Sequence, residues 1–247
     1  MAEIEITWPA PPAKLSLETT EVHVWAVLLE ASPERLSDLA LTLSTDERAR
    51  AEQFRLPHLR ARYTVGRASL RLLLGRYLDK PPADLKFRYS SRGKPALPEP
   101  DEALHFNLAH SDALALIAVT RQSPLGVDVE RIRPMRDAEQ IAGRFFSARE
   151  AAEFQTIPTE QRDAGFFNLW TRKEAWLKAT GAGISDSLAR FEVTFLPADP
   201  PGVRAIDGQA AAGAAWSLTV LSPARGFVGA LAMPTPQPRL KCWRMTA

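Results

Sequence analysis

The segment DAGFFNLWTRKEAWLKATG, residues 163–181, is the strongest helix pattern in the chain. It contains no proline, and Gly181 and Gly183 follow it where glycine commonly ends a helix. Apolar side chains cover much of its surface, namely Phe166, Phe167, Leu169, Trp176 and Leu177. A helix with so little polar surface is predicted to be buried, and we expect it to pack on a sheet.

The elements predicted around this helix follow one order twice, because a long helix precedes a pair of strands in each half. The first half offers a strand at 21–29, a helix from 44 to 77 that breaks near Pro57, and strands at 105–108 and 113–120. A strand at 126–130 comes next, followed by helices at 138–146, from Ser147 onward and at 163–180, and by strands near 191–196, 216–221 and 227–233. We therefore predict an α+β fold with a pseudo-twofold pair of similar halves, residues 1–122 and 123–247. Each half is expected to be a small antiparallel sheet packed on a long helix.

Composition and charge narrow the class of protein. Hydrophobic residues make up 45% and charged residues 24% of the chain, as in a globular protein, and the formal charge of +2 excludes a polybasic nucleic-acid coat. The single cysteine, Cys242, cannot form an internal disulfide, so a reduced, cytoplasmic setting is expected. The longest apolar run, 113–119, is far shorter than the roughly 20 residues that span a bilayer. The first residues lack the pattern of a signal peptide, so we expect no membrane partner.

Two acidic residues alternate along the predicted strand Gly126-Val-Asp128-Val-Glu130. Side chains alternate between the faces of a strand, so both carboxylates lie on one face, with their backbones about 6–7 Å apart. Carboxylates at that spacing suit a hard cation such as Mg²⁺, which leaves its other positions to water and phosphate. The alternative is an ordinary half-buried strand with solvated acids.

A second charged group lies on the long helix. Helical spacing places Trp170, Glu174 and Lys178 along one face. A glutamate–lysine pair of this kind stabilises a helix by only about 0.2–0.5 kcal/mol. On a buried helix both charges need further partners. A metal ion for the acid and a phosphate for the ammonium group would supply them.

A basic segment precedes the strand pair of the first half. Residues 53–78 contain six arginines and no acid, and residues 85–94 add two lysines and two arginines, again without an acid. An ordinary solvated helix face is one interpretation. The other is an anionic ligand, polyphosphate or nucleic acid, that would relieve the mutual repulsion.

The polar cluster Phe-Asn-Leu-Ala109-His110-Ser111 separates two apolar strands, and His110 is a candidate donor to a phosphate. The chain has no P-loop, no dinucleotide-binding fingerprint and no His-Glu-x-x-His zinc motif. These absences leave the acidic pair, the long helix and the basic segment to carry the chemistry.

Taken in order, three motifs resemble the 4′-phosphopantetheinyl transferases, in particular their longer class with two similar halves in one polypeptide. They are the His110 cluster, Gly-Val-Asp128-Val-Glu130, and Trp-Thr-Arg-Lys-Glu174-Ala-Trp-Leu-Lys178. Arg144-Phe-Phe-Ser147 with Glu150 is similar to the family's usual connector, and Gly93-Lys94-Pro95 to a further family element. The family usually has a serine where this chain has Ala109.

The resemblance implies a holo-[acyl-carrier-protein] synthase activity. Coenzyme A would donate its phosphopantetheine arm to a serine of an acyl, peptidyl or polyketide carrier protein, and adenosine 3′,5′-bisphosphate would be released. The resemblance makes Asp128, Glu130 and Glu174 the Mg²⁺ ligands. It also makes Glu174, Lys178 and Asp128 the catalytic residues, with Glu174 as the candidate base.

The resemblance also assigns the residues that would bind coenzyme A. Lys178 and His110 would contact its phosphates, Lys94 would hold a phosphate, and Arg62 and Arg67 would contact the nucleotide end. Two halves in one chain make a monomer sufficient.

Three alternatives stay open at this point. A Mg²⁺-dependent phosphohydrolase would act on coenzyme A or a related nucleotide without a carrier. A nucleic-acid-binding module would use the stripe from Arg55 to Arg76. An inactive carrier-docking protein is the third, although the presence of all three carboxylates argues against it.

Overall fold

The computed structural model describes residues 4–182, 188–197, 199–234 and 238–245; Gly183 lies outside these ranges. The strands in the described ranges are β1 (Glu21–Leu28), β2 (Arg88–Tyr89), β3 (Pro95–Ala96), β4 (His105–Ser111), β5 (Leu114–Thr120), β6 (Gly126–Arg131), β7 (Phe191–Val193), β8 (Val203–Ile206), β9 (Ser217–Leu221), β10 (Phe227–Met233) and β11 (Arg239–Met245). The helices are α1 (Pro33–Ala40), α2 (Thr45–Glu52), α3 (Pro57–Leu78), α4 (Ala138–Phe145), α5 (Ala148–Gln155), α6 (Arg162–Thr180) and α7 (Ala210–Ala214).

The first sheet has the strand order β11-β1-β5-β4 and packs against α3. Strand β5 reads LALIAVT and is buried along its whole length, because its two faces serve two different cores. Ala115, Ile117 and Val119 join the core shared with α3, whereas Leu114 and Leu116 face the core on the other side. This alternation is what a strand buried between two layers requires.

The second sheet has the order β6-β10-β9 and packs against α6. In β10 the residues again alternate: Ala230 and Ala232 join the core that contains α6, whereas Leu231 and Met233 join the core that contains β5. The two sheets therefore pack face to face between α3 and α6. The α+β class is confirmed, and α6 is the buried helix that the sequence predicts.

One glycine fixes how closely the second sheet approaches its helix. A Cβ atom at Gly126 would overlap the backbone of Ala175, Lys178 and Ala179. Because glycine has no Cβ, the start of β6 lies directly on the last two turns of α6. The residues that follow Gly126 on β6 are thereby held next to the side chains of those turns.

The last strand departs from the prediction. Strand β11 follows the second-half sheet in sequence but pairs in parallel with β1, so the first sheet is mixed rather than antiparallel. No strand is predicted at 239–245, because these residues, Arg-Leu-Lys-Cys-Trp-Arg-Met, are about half polar and lie at the sheet edge. The division at residues 122 and 123 stays a prediction. In the described part of the chain, no helix is long and apolar enough to cross a membrane.

Candidate active site

The edge strands of the two sheets, β4 and β6, face each other along a line that we call the seam. Side chains of β4 bridge it, because the Asn107 amide oxygen accepts from the Val127 backbone N–H at 2.8 Å. The Ser111 hydroxyl donates to Glu130 Oε2 at 2.6 Å and accepts from the Arg131 backbone N–H at 3.1 Å. Ala109, on the same face of β4, is buried in the core between the sheets.

Asp128 and Lys178 meet where β6 lies on α6. Lys178 Nζ donates to Asp128 Oδ1 at 2.6 Å. The Asp128 side chain is buried, whereas that of Lys178 is 30% exposed. The other carboxylate oxygen, Asp128 Oδ2, is buried without a hydrogen-bond partner. The contact with Glu174 that helical spacing suggests for Lys178 is thus replaced by an ion pair between the helix and the strand.

Glu174 lies one turn before Lys178 on α6, and its Oε1 is also buried without a hydrogen-bond partner. Burial raises the pKa of Glu174, which the Lys178 cation opposes and the Glu130 carboxylate reinforces. Burial also raises the pKa of Asp128, to about 7; Lys178 opposes this shift, and both glutamates add to it. The neighbouring carboxylates therefore disfavour the charged forms of Asp128 and Glu174, and a cation near these two groups would be stabilised.

The carboxylate oxygens at this site are atoms of the kind that bind a hard cation. A buried carboxylate oxygen without a partner costs free energy, and Asp128 Oδ2 and Glu174 Oε1 are two such atoms at one site. Carboxylate oxygens are the protein ligands that Mg²⁺ prefers. Within the ranges that the structure describes, the side chains do not by themselves form a preassembled group of three or more metal ligands. The Mg²⁺ ligand set therefore stays a prediction.

A cavity of about 410 Å³ opens between α3 and the first sheet, and it brings together three residues of the predicted coenzyme A site. His110, Arg62 and Arg67 line it together with apolar side chains and Tyr63. His110 is exposed to solvent there, yet the protein atoms around its ring lower its pKa, and the Lys178 charge lowers it further. The cavity thus has a polar wall next to the seam and an apolar interior.

Lys94 lies apart from that cavity. Its ammonium group donates to the Leu125 carbonyl at 3.1 Å and to the Lys178 carbonyl at the end of α6. It also lines a separate cavity of about 430 Å³ with Arg88 and His105. The phosphate contact of Lys94 stays a prediction.

Acidic residues from other parts of the chain pair with arginines of the basic segment, contrary to the expectation from the sequence. Arg71 is buried and pairs with Glu47 at 2.5 Å, and Arg67 binds the same carboxylate. Arg62 pairs with Asp112 at 2.8 Å. Acids distant in sequence supply these partners, so the absence of acids from residues 53–78 does not by itself indicate an anionic ligand.

The sequence analysis also missed a fully buried ion pair beside the site. Lys173 Nζ lies 2.7 Å from Glu150 Oε2, and neither side chain is exposed. Lys173 donates further to the carbonyls of Leu188 and Phe191, and Glu150 accepts from the Val193 backbone N–H. The clue in the sequence is a lysine on an otherwise apolar helix face. Its partner is distant in sequence and could not be identified.

Comparison with known proteins gives matches along most of the chain. Residues 124–232 match a model described as 4′-phosphopantetheinyl transferase superfamily, and residues 29–122 match one described as 4′-phosphopantetheinyl transferase, N-terminal. The chain is 43% identical to 4′-phosphopantetheinyl transferase HetI of Nostoc sp. over 93% of its length and 94% of that protein. It is 36% identical to psf-1 of Bacillus pumilus over 64% of its length and 66% of that protein. It is 30% identical to Sfp of Bacillus subtilis over 61% of its length and 66% of that protein.

Proposed function

The chain belongs to the 4′-phosphopantetheinyl transferase superfamily, and on that premise we propose that it transfers the phosphopantetheine arm of coenzyme A to a carrier-protein serine. The observation that carries the proposal is the group formed by Asp128, Glu174 and Lys178, which lies next to the seam, where β6 packs on α6. Lys178 binds Asp128 and interacts electrostatically with Glu174, and each of these acids has a buried oxygen without a partner. The cavity beside them has Arg62 and Arg67 on its wall. Phosphoryl transfer requires such positioning and charge neutralisation more than covalent chemistry.

In the proposed step the serine oxygen of the carrier attacks the phosphorus that bears the pantetheine arm. A new P–O bond forms, and the bond from that phosphorus to the bridging oxygen of the pyrophosphate breaks. Adenosine 3′,5′-bisphosphate leaves with the bridging oxygen. The serine proton goes to Glu174, whose unpartnered Oε1 and raised pKa suit a proton acceptor. Lys178 places a positive charge beside the developing negative charge.

Mg²⁺, when bound, would neutralise the charge of the pyrophosphate, and Asp128, Glu130 and Glu174 are the residues that would hold it. Ser111 keeps Glu130 directed along the seam. Lys178 Nζ donates a hydrogen bond to Asp128 Oδ1, and Asp128 Oδ2 has no partner. These contacts orient the carboxylates before any ligand arrives.

The cavity beside the seam supports a place for the nucleotide end of coenzyme A. Arg62, which pairs with Asp112, and His110 line its wall, and Tyr63 adds an aromatic surface on which a base could stack. Arg67 contributes a second positive group, although Glu47 already binds its guanidinium. A monomeric, cytoplasmic enzyme stays a prediction.

The test mixes the full chain with coenzyme A, Mg²⁺ and each of several apo carrier proteins, and follows the mass of the carrier. A mass gain equal to one phosphopantetheine, on the carrier serine, is expected. No gain on any carrier would refute the transfer. Release of adenosine bisphosphate without a carrier would instead favour the phosphohydrolase alternative.

A further inference from the structure

The turn between β2 and β3 reaches from the first half to the last turn of α6. Ser90 closes this turn, because its hydroxyl accepts from the Arg92 and Lys94 backbone N–H groups at 3.3 and 3.1 Å. Gly93 has a φ of +78°, a left-handed conformation that favours glycine. Arg92 and Lys94 therefore project from a fixed turn.

Both side chains bind carbonyl groups at the end of α6. Arg92 donates to the Gly181 carbonyl at 2.7 Å, and Lys94 donates to the Lys178 carbonyl. The last four carbonyls of a helix have no partner within the helix, and cations stabilise that end. The two residues thus cap, from the other half, the helix that carries Glu174 and Lys178.

Lys94 has a second acceptor, the Leu125 carbonyl at 3.1 Å, just before β6 begins. One ammonium group therefore connects the start of the strand that carries Asp128 to the helix turn that carries Lys178. These are the two elements that also touch at Gly126. We call Arg92, Lys94 and the carbonyls of Leu125, Lys178 and Gly181 the clamp.

We propose that Lys94 is a positioning residue, which holds β6 and the last turn of α6 at the spacing that the Asp128–Lys178 contact requires. Lys178 Nζ reaches Asp128 Oδ1 at 2.6 Å only while both elements keep their places. A displacement of catalytic groups by about 1 Å can lower the rate about 10²-fold. The effect on turnover rests on the proposed transfer, whereas the clamp is a property of the chain without ligand.

The first measurement is hydrogen exchange of the ligand-free full chain, comparing wild type with Lys94→Met. We expect the amides of residues 178–182 to exchange about tenfold faster in the variant, with little change elsewhere. Lys86→Met is the matched control, because Lys86 is an exposed lysine of the same segment. Equal exchange in wild type and Lys94→Met would overturn the clamp, whether or not any carrier is modified.

The second measurement is the rate of carrier modification against coenzyme A concentration. Lys94→Met is expected to lower kcat roughly 10- to 100-fold while the KM for coenzyme A stays within about threefold. Lys94→Arg should recover part of the rate. If Lys94→Met fails to fold, Arg92→Ala replaces it in the assay. Arg92 is at an exposed position, and its variant should show a smaller loss of kcat.

Two results would overturn the positioning role. A raised KM with unchanged kcat would make Lys94 a ligand of the coenzyme A phosphates. Faster exchange with unchanged kcat and KM would make the clamp purely structural. If wild type modifies no carrier, the transfer proposal fails, while the exchange measurement still decides on the clamp.

Discussion

Two adjacent residues of α6, Lys173 and Glu174, show how the molecule treats buried charge in two ways. Lys173 is fully buried, and its ammonium group is satisfied by Glu150 and two carbonyls. Glu174 has a buried oxygen with no partner, and it interacts electrostatically with Asp128, whose Oδ2 is also unpartnered. We read the fully paired Lys173 as a charge that stabilises the fold, and the unpartnered oxygens of Glu174 and Asp128 as the proposed ligand site.

The same contrast separates the two long helices. On α3, Arg71 is buried and satisfied by Glu47 and by the carbonyls of Pro82 and Leu85. The buried charge of α3 therefore belongs to the fold. The charged face of α6 at the seam belongs to the proposed chemistry.

The largest expected effect is on stability, at Lys173. Lys173→Met leaves Glu150 buried without its cation, so the free energy of unfolding should fall by about 3–5 kcal/mol. Urea unfolding measures this loss. Lys178→Met should cost much less, because Lys178 is 30% exposed and its partner Asp128, with a pKa raised to about 7, can take up a proton. Equal losses in the two variants would remove the distinction between the completely and the incompletely paired sites.

The next effect is on turnover, at Asp128. Asp128→Asn keeps the shape but removes a charge that faces Lys178 and the proposed cation, so the rate of carrier modification should fall roughly 10²- to 10³-fold. The variant should stay folded by circular dichroism. Asp137→Asn, at an exposed position, serves as the control. A wild-type rate for Asp128→Asn at limiting Mg²⁺ would contradict the assigned role.

The dependence of stability on pH should have opposite signs for Asp128 and Glu47. Burial raises the pKa of Asp128 to about 7 from 3.8, so between these values the native state holds a proton that the unfolded chain has lost. Wild-type stability from this group therefore falls as pH rises from about 4 to 7. Asp128→Asn should gain stability over wild type across that range, measured by urea unfolding without added metal.

Glu47 provides the opposite case. Burial alone would raise its pKa, but Arg71 and Arg67 outweigh burial and lower it. Its contribution to stability is therefore present above the ordinary glutamate pKa and is lost as pH falls through the lowered value. Glu47→Gln should cost about 1–3 kcal/mol at pH 7 and less near pH 3. A loss that does not depend on pH would show that the ion pairs of Glu47 contribute nothing.

The smallest expected effect is at His110, on the wall of the cavity beside the seam. His110→Gln should raise the KM for coenzyme A about three- to tenfold, because it removes one proposed contact to the ligand, and kcat should stay within about twofold. Steady-state kinetics with a saturating carrier measures both constants. An unchanged KM would separate this cavity from coenzyme A binding.

Local sequence patterns predict the elements that carry the candidate site. The segment 126–130 is predicted as a strand, which places Asp128 and Glu130 on one face, and the apolar surface of residues 163–180 predicts a buried helix; the structure has both elements. Strand β11 could not be predicted from the sequence, because its pairing at the sheet edge depends on a distant partner and not on a local apolar pattern. The partner of Lys173 and the carbonyls that bind Lys94 could not be predicted either, because they too are distant in sequence.

The central claim is that the incompletely paired charges of the seam perform the transfer, whereas the completely paired charges beside them do not. It is tested most directly by single-turnover transfer of phosphopantetheine to an apo carrier, with Glu174→Gln and Lys173→Met compared at a temperature where both are folded. The account predicts that Lys173→Met transfers at a rate within about tenfold of wild type, while Glu174→Gln is slower by roughly 10²-fold or more. Transfer by Glu174→Gln at the wild-type rate would contradict it.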